Sequence, residues 1–239
     1  MAVMTLRFNP KTIGLATQVR IILPTGVHQP DTDFRKLYGE KKPLPVLWLL
    51  HGGSDNYADW HDCTPVQVLA DKYSYAVVMP DAQTSSYANM AYGPNWLDYF
   101  RTELPEYIYT HFPVSRRRED NFISGMSMGG GGAYLNALDH PELYGGVLDL
   151  YGALRYTGSL GTFLEMDAEQ LGEFRHYIIC GNHDMYCFDI DHIKMGRHLS
   201  QLEVPCVFEI DNGEHDPDFY LPRLKDGFAY ILNGIEPVQ

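Results

Sequence analysis

Short apolar runs alternate along this chain with longer segments in which apolar residues recur every three or four positions. Apolar runs bounded by turn residues are typical of strands buried in a parallel sheet, whereas three- and four-residue spacing is typical of helices with one apolar face. The regular succession of the two patterns predicts an α/β fold with a mostly parallel central sheet and helices on both of its faces.

Eight strands and five helices follow from these patterns. Apolar alternation predicts that two N-terminal strands, Met4–Asn9 and Thr17–Leu23, form an antiparallel pair. Six apolar runs predict the central strands Val46–Leu50, Ala76–Met79, Phe122–Ser124, Val147–Leu150, Tyr177–Cys180 and Val207–Ile210. Helical spacing predicts the helices Pro65–Tyr73, Trp96–Phe112, Met128–Leu138, Asp189–Leu202 and Pro217–Leu232. In such a sheet, reactive groups gather at the carboxyl ends of the strands.

The chain contains no internal repeat, low-complexity tract or linker, which predicts one domain over residues 1–239. Only the interval from Tyr156 to Phe174 carries a weak pattern. It falls between two predicted strands, so a small helical cap within residues 156–174 and an ordinary crossover helix fit it equally well.

The charge and the apolar stretches limit the partners of this protein. The formal net charge of the 239 residues is −13, which argues against binding to nucleic-acid phosphates or to anionic membrane surfaces. No window approaches the roughly 20 apolar residues of a membrane span, and residues 1–7 lack the features of a signal peptide. These observations predict a cytoplasmic protein that binds neither nucleic acid nor membrane.

The cysteines and histidines show no metal-binding pattern. The cysteines are scattered without C-x-x-C spacing, at Cys63, Cys180, Cys187 and Cys206. In a chain of this length, that distribution is more typical of buried small side chains than of a disulfide framework or a zinc site. The pairs His183–Asp184 and His215–Asp216 lack the helical spacing of a metal motif. We therefore expect neither a metal ion nor another cofactor.

The sequence Gly125-Met126-Ser127-Met128-Gly129 lies between a predicted buried strand and a predicted helix. An abrupt strand-to-helix turn strains the backbone of its central residue and exposes that side chain. Glycines two positions before and after remove the Cβ atoms that would collide there. The hydroxyl of Ser127 then lies at a helix N-terminus, which favours developing negative charge. The pattern predicts Ser127 as a catalytic nucleophile.

A serine hydroxyl needs a neighbouring base, and the base needs an orienting acid. Both are expected in loops directly after strands, in the chain order serine, acid, histidine. The residues in these places are Asp184, after the strand that ends at Cys180, and His215, after the strand that ends at Ile210. We predict Asp184 as the acid and His215 as the base. Three other carboxylates compete for the role of the acid, namely Asp189, Asp191 and Asp211.

A tetrahedral intermediate also needs backbone N–H groups that stabilise its oxyanion. We expect one from Met128, directly after the nucleophile, and a second from Gly53 in the turn His51-Gly52-Gly53-Ser54, with Gly52 and Ser54 as competitors. Aromatic residues cluster near the same loops, and Trp60 and Trp96 are the candidates for substrate contact.

Further motifs extend beyond the predicted catalytic residues. They are Leu49-Leu50-His51-Gly52-Gly53, Asp55-Asn56-Tyr57 with Trp60, Glu103-Leu104-Pro105, Phe112-Pro113-Val114-Ser115, Gly125-Met126-Ser127-Met128-Gly129-Gly130, His140-Pro141-Glu142-Leu143-Tyr144 and the Gly213-x-His215 loop. Together they resemble the esterase D family of α/β-hydrolases, most closely its short bacterial members similar to tributyrin esterase. The resemblance covers most of the chain and implies an α/β-hydrolase fold with the triad Ser127, Asp184 and His215. The tryptophans that often follow the family's histidine are absent here, where Pro217 and Tyr220 stand.

The predicted function is a serine carboxylesterase that hydrolyses short-chain acyl esters through an acyl-enzyme intermediate, with acetyl esters of sugars among the candidate substrates. An acyltransferase on the same fold, in which an alcohol replaces water, is one alternative. An esterase of the feruloyl or S-formylglutathione type is another. The expected partner is a small-molecule ester, and the sequence leaves open whether the chain forms a homo-oligomer.

Overall fold

The computed structural model describes residues 1–25 and 43–234, so residues 26–42 and 235–239 of the predicted single domain lie outside the described residues. An eight-stranded sheet runs through the centre in the order β1-β2-β4-β3-β5-β6-β7-β8. The strands are β1 (Ala2–Phe8), β2 (Thr17–Leu23), β3 (Val46–Leu50), β4 (Ala76–Pro80), β5 (Asn121–Met126), β6 (Gly146–Leu150), β7 (Arg175–Gly181) and β8 (Cys206–Asp211).

Strand directions follow the prediction. β1 pairs antiparallel with β2, and β2 pairs antiparallel with β4. All remaining pairs are parallel, from β4–β3 through β7–β8. The predicted mostly parallel sheet with an antiparallel N-terminal pair is therefore confirmed. Because the six central strands run the same way, their carboxyl ends share one edge of the sheet.

The helices connect these strands and cover the sheet. The α-helical segments are α1 (Asp59–Cys63), α2 (Val66–Tyr73), α3 (Trp96–Asp98), α4 (Leu104–His111), α5 (Met128–Asp139), α6 (Leu154–Thr157), α7 (Ser159–Glu165), α8 (Ala168–Gly172), α9 (Asp189–Gln201), α10 (Pro217–Tyr220) and α11 (Leu224–Asn233). A π-helical turn, Tyr99–Glu103, joins α3 to α4, and 3₁₀ turns lie at Arg118–Asp120 and Leu221–Arg223.

The alternation of side chains along the strands builds a hydrophobic core on each face. In β3, Trp48 packs into the core covered by α5 and α9, whereas Leu47 and Leu49 pack into the core covered by α2 and α11. All five residues of β3 are buried, as expected for a strand covered on both sides. The prediction of helices on both faces is confirmed.

Two predicted helices are interrupted in the structure. The segment Trp96–Phe112 contains the π turn, and Pro105, two residues after the end of that turn, has no backbone N–H to continue the regular pattern. The segment Pro217–Leu232 is divided by the 3₁₀ turn that contains Pro222. Proline explains both interruptions, since its ring removes one donor from the helical hydrogen-bond series.

Three short helices, α6, α7 and α8, occupy residues 154–172 and connect β6 to β7. Phe163 and Leu171 from this connection are fully buried in the core beneath α5 and α9. Most of the segment therefore packs onto the sheet face, while Tyr156 at its start reaches the cavity described below.

Asn121, at the start of β5, is a fully buried polar residue whose side chain is saturated with hydrogen bonds. Its Oδ1 accepts from Trp48 Nε1 at 3.0 Å and from the Tyr109 hydroxyl at 2.9 Å. Its Nδ2 donates to the carbonyls of Ser115 and Arg117, each at 2.9 Å. This amide joins β3, α4 and the loop before β5.

Replacing Asn121 with alanine would leave two buried donors and two carbonyls without these partners. We expect Asn121→Ala to lower the free energy of unfolding by about 3 kcal/mol, since each unsatisfied buried group costs roughly 1–3 kcal/mol. Urea denaturation measures this change. The exposed Asn212, whose side chain makes no hydrogen bond within the described residues, is the control, and Asn212→Ala is expected within about 0.5 kcal/mol of the parent. Equal effects of the two substitutions would contradict the role given to Asn121.

Candidate active site

A cavity of about 620 Å³ opens at the carboxyl edge of the sheet. Its lining comes from the segments that follow β3, β4, β5, β6, β7 and β8, together with residues of α1 and α10. Ser127 and His215 both line it, as do Gly53 and Met128. The structure thus brings residues from distant parts of the chain to one site, where the order of strands places them.

Ser127 lies between the last residue of β5 and the first residue of α5, as the sequence predicts. Its φ is 53° and its ψ is −118°, a conformation that residues with a side chain rarely adopt. The backbone holds this conformation with two hydrogen bonds. Ser127 N–H donates to the carbonyl of Leu150 at 3.0 Å, and the carbonyl of Ser127 accepts from Ala153 N–H at 2.8 Å. The side chain is thereby directed out of the turn and toward the cavity.

The glycines on either side of Ser127 are required by close backbone contacts. A Cβ at Gly125 would overlap the backbone of Gly129, and a Cβ at Gly129 would overlap the carbonyl oxygen of Leu50 at the end of β3. The turn therefore packs against itself and against the neighbouring strand with no room for a side chain. Sequence reasoning identified these two positions from the motif alone.

His215 and Asp184 meet at the same edge. His215 Nδ1 donates to Asp184 Oδ2 at 2.6 Å, and the other carboxylate oxygen of Asp184 accepts from the backbone N–H of Tyr186 at 2.8 Å. The side chain of Asp184 is fully buried, whereas the side chain of His215 is 12% exposed. With Nδ1 occupied, Nε2 is the imidazole nitrogen left for a partner in the cavity.

The environment of Asp184 has opposing effects on its ionisation. Burial alone would raise the pKa of this carboxyl, but the hydrogen bond and charge of His215, together with backbone N–H groups of Tyr186 and Phe188, outweigh burial and lower it. Asp184 is therefore held as a carboxylate, the form that can accept from the imidazole. It fixes the orientation of the ring and stabilises an imidazolium when one forms.

Three aromatic rings pack against the His215 imidazole. The ring of Tyr151 lies 4.2 Å from it, and the rings of Tyr186 and Phe188 meet it edge-on at 4.9 Å and 5.4 Å between centroids. Burial raises the pKa of Tyr151 far above its usual range, so its ring faces the imidazole as a neutral phenol. Sequence reasoning did not identify these residues. Tyr151 follows β6 directly, so the strand-end rule that located Asp184 and His215 also applies to it.

The competing carboxylates have other partners or positions. Asp191 binds Arg155, and Asp211 binds Arg223. Asp189 lies at the start of α9 and makes no hydrogen bond to His215. Among the four candidates, Asp184 is the one in contact with the imidazole.

The backbone N–H groups near Ser127 differ in availability. Gly52 N–H already donates to Asp55 Oδ2 at 3.2 Å. Within the described part of the chain, Gly53 N–H, Ser54 N–H and Met128 N–H have no acceptor, and all three residues line the cavity. Met128 is the first residue of α5, where the N–H has no acceptor inside the helix. Gly53 and Met128 are therefore free to donate to a ligand, and Ser54 remains a competitor.

The two tryptophans predicted for substrate contact lie in different places. Trp60 lines the cavity, where its ring meets Tyr220 edge-on at 5.7 Å and its Nε1 donates to the carbonyl of Leu50 at 2.9 Å. Trp96 is fully buried against Tyr99 and Phe100 and does not line the cavity. The prediction for Trp96 failed because an aromatic residue near an active-site loop in sequence can equally well be part of the core.

The cavity lining is acidic and aromatic. Asp55, Asp59 and Asp216 contribute carboxylates, and the described residues of the lining include no lysine or arginine. These three carboxylates accept hydrogen bonds from the backbone N–H groups of Gly52, Asn56 and Phe219, respectively. Within residues 1–25 and 43–234, none of the three forms an ion pair, unlike many acidic residues elsewhere on the surface.

The described residues were also compared with the requirements of disulfides, metal sites and membrane spans. All four cysteines are free thiols. Nowhere in residues 1–25 and 43–234 do three histidine, cysteine or acidic side chains come together as a metal-binding group. The same residues contain no helix long and apolar enough to cross a membrane.

Comparisons with known proteins agree on one group. Residues 13–160 match the model of the family described as "Putative esterase". An acetyl esterase from Caldicellulosiruptor saccharolyticus is 27% identical over 97% of this chain and 98% of its own. Two Staphylococcus aureus structures, the fluorophosphonate-binding serine hydrolase FphF and the S-formylglutathione hydrolase FrmB, are each 28% identical over 97% of this chain. The match covers 98% of the FphF chain with a TM-score of 0.81 and 99% of the FrmB chain with a TM-score of 0.78.

The close contacts at Gly129 generate a prediction. We expect Gly129→Ala to displace the turn that carries Ser127, because its Cβ would overlap the Leu50 carbonyl, and to abolish folding or esterase activity. The control is Gly161→Ala in helix α7, where nothing lies within 4 Å of the added methyl group. That variant is expected to gain up to about 1 kcal/mol from helix propensity. Thermal denaturation and p-nitrophenyl acetate hydrolysis report both effects, and a Gly129→Ala enzyme with parental activity would refute the packing argument.

Proposed function

Because this chain belongs to the esterase family whose model it matches and has the α/β-hydrolase fold, we propose that Ser127, His215 and Asp184 form its catalytic triad. The chain is a carboxylic ester hydrolase of the serine type, and its substrates are small esters. The observation that carries the assignment is the 2.6 Å hydrogen bond from His215 to the buried Asp184, in the same cavity as Ser127 on its strained turn.

The chemistry follows from the positions of the groups. Ser127 Oγ attacks the ester carbonyl while Nε2 of His215 takes its proton, and Asp184 stabilises the resulting imidazolium. The imidazolium then gives the proton to the departing alcohol, leaving an acyl-enzyme on Ser127. Water enters, His215 removes its proton, and the acid is released as Ser127 regains its hydrogen. The N–H groups of Gly53 and Met128 stabilise the oxyanion in both steps.

The cavity supports a short acyl group and an uncharged alcohol. The similar proteins include an acetyl esterase and an S-formylglutathione hydrolase, which differ in the charge of their substrates' leaving groups. A glutathione leaving group carries carboxylates, and the three carboxylates of this lining would repel it, with no arginine or lysine among the described lining residues to compensate. Esters of neutral alcohols, acetylated sugars among them, meet no such penalty. Tyr156 and Tyr186, the exposed aromatic residues of the described lining, offer them ring surface.

An acyltransferase reaction remains the alternative on the same machinery, in which an alcohol takes the place of water at the acyl-enzyme. Product analysis with a competing acceptor alcohol separates transfer from hydrolysis. The four free thiols support a cytoplasmic location, and the acidic lining supports the absence of nucleic acid from the partners.

The role of Ser127 is tested by its replacement with alanine. We expect Ser127→Ala to lower kcat for p-nitrophenyl acetate by several orders of magnitude, on the scale of roughly 10⁶ when a triad acts as one unit. The variant is also expected to lose covalent labelling by a fluorophosphonate. Ser54→Ala keeps the backbone N–H of a second serine in the same lining and is expected to retain most activity. Activity above a few per cent in a clean Ser127→Ala preparation removes Ser127 from the role.

The charge of the leaving group is tested with two thioesters that share one acyl group. We expect kcat/KM for the neutral S-acetyl-N-acetylcysteamine to exceed that for S-acetylglutathione by at least about 10-fold, because like charges face each other only in the second case. Added salt and the variant Asp55→Asn/Asp59→Asn should narrow the gap, whereas Asp218→Asn, outside the lining, should not. A preference for the glutathione thioester would reverse the assignment of substrate class.

A further inference from the structure

A buried histidine–aspartate pair lies behind the cavity and takes no part in the mechanism above. His192 on α9 and Asp149 on β6 both have fully buried side chains, and His192 Nε2 lies 3.1 Å from Asp149 Oδ2. The two residues are 43 positions apart in the chain. Such a pair is costly to remove from water unless every hydrogen-bonding atom has a partner, so its bonds require an account.

All four polar atoms of the pair are satisfied. His192 Nδ1 donates to the carbonyl of Phe188 at 2.7 Å, since a carbonyl can only accept. Asp149 Oδ1 accepts from the backbone N–H of Gly152 at 2.7 Å. A proton must also lie between Nε2 and Oδ2, because two acceptors would otherwise face each other. Each side chain therefore makes two hydrogen bonds, and the one between Nε2 and Oδ2 contains a proton that the two residues share.

The surroundings favour the protonated imidazole. Burial alone would lower the pKa of His192, but the facing carboxylate of Asp149 outweighs it and raises that pKa well above its usual range. Cys180 on β7 is the other titratable group that interacts with His192, and burial raises the pKa of its thiol. The pair therefore keeps its shared proton across the neutral range.

The Asp149 end of the pair is joined to the turn that carries Ser127. Its partner Gly152 follows β6, and two residues on either side of Gly152 hold Ser127, namely Leu150 at the end of β6 and Ala153 directly after Gly152. Leu150 accepts from Ser127 N–H, and Ala153 N–H donates to the Ser127 carbonyl. A shift of Asp149 would therefore move the backbone that fixes the conformation of Ser127.

The His192 end is joined to the loop that carries Asp184. Its acceptor Phe188 ends that loop, and the ring of Phe188 meets the His215 imidazole edge-on at 5.4 Å. Within the loop, Cys187 N–H donates to the carbonyl of Asp184 at 2.9 Å. The position of Asp184 and of the ring beside His215 therefore depends on where His192 holds Phe188.

We propose that His192 and Asp149 are positioning residues that set the placement of the Asp184–His215 pair relative to Ser127. The pair bridges the two segments on which the reaction depends, one on β6 and one after β7, at a depth that solvent does not reach. The proposal rests on the proposed function, since it concerns the geometry of that triad. Neither residue lines the cavity or touches the reacting atoms.

Three variants test the hydrogen bonds of the His192–Asp149 pair separately. His192→Leu removes both imidazole bonds, and we expect kcat for p-nitrophenyl acetate to fall on the order of 100-fold with KM nearly unchanged, as for a small misplacement of reacting groups. His192→Gln can reach Asp149 but not also the Phe188 carbonyl, and about a 10-fold loss is expected. Asp149→Asn retains every bond, because its amide donates to a neutral imidazole and its carbonyl accepts from Gly152, so kcat should stay within about 3-fold.

His176→Leu is the matched control. His176 is equally buried, its Nε2 donates to the Leu171 carbonyl, and burial lowers its pKa to about 4. It lies near the amino end of β7, opposite the cavity, so its loss should lower the melting temperature and leave kcat unchanged. If His176→Leu and His192→Leu lose kcat equally, or if Asp149→Asn loses as much as His192→Leu, the positioning role is refuted.

Fluorophosphonate labelling separates this proposal from the proposed function. If the parent enzyme is not labelled at Ser127, the assignment of the triad fails. If the parent is labelled and His192→Gln is labelled at the same rate, only the positioning role fails. Slower labelling of folded His192→Gln, with parental labelling of Asp149→Asn, supports the bridge. Because His192→Gln and Asp149→Asn keep a polar side chain in place, they decide the question even if His192→Leu does not fold.

Discussion

The structure of the site depends on how closely the backbone packs at the turn after β5. Gly125 and Gly129 touch, and Gly129 in turn lies against the carbonyl of Leu50 at the end of β3. Any side chain at these positions would separate β5 from its helix or from its neighbouring strand. The positive φ of Ser127 costs about 1–3 kcal/mol in such turns, and it persists because Leu150 at the end of β6 holds its N–H and Ala153 after β6 holds its carbonyl. Backbone packing and these hydrogen bonds thus hold Ser127 in the strained conformation that exposes its hydroxyl.

The loops after β7 and β8 are joined to each other in the same manner. A Cβ at Gly181 would overlap the carbonyl of Gly213, and His183 N–H donates to that carbonyl at 2.9 Å. Parallel pairing of β7 with β8 continues to Gly181 and Asp211, so the two loops leave the sheet at the same level. The contact between Asp184 and His215 is therefore a consequence of strand register, with the two loops held together by their own backbones.

The sequence predicts the strands and the candidates Ser127, Asp184 and His215 because both predictions follow from local rules. A parallel sheet gathers its strand ends at one edge, so the residue after each strand is a candidate whatever the rest of the chain does. Trp96 shows where such reasoning stops, because tertiary packing decides whether a loop aromatic enters the core or lines the cavity. The contact between His192 and Asp149 joins α9 to β6, and no local pattern in either segment indicates it.

The unequal burial of His215 and Asp184 suits the different roles proposed for them. Asp184 has no exposed side-chain surface, so its charge is stabilised by the imidazole and by backbone N–H groups instead of by water. His215 keeps a small exposed fraction, as the proposed mechanism requires, because its Nε2 must reach a hydroxyl and later a water molecule in the cavity. If both were buried, water could not enter for the second half of the reaction; if both were exposed, solvent would weaken the charge that stabilises the imidazolium. Tyr151, Tyr186 and Phe188 pack against the imidazole and Asp184 occupies its Nδ1, so Nε2 is the ring nitrogen left for the cavity.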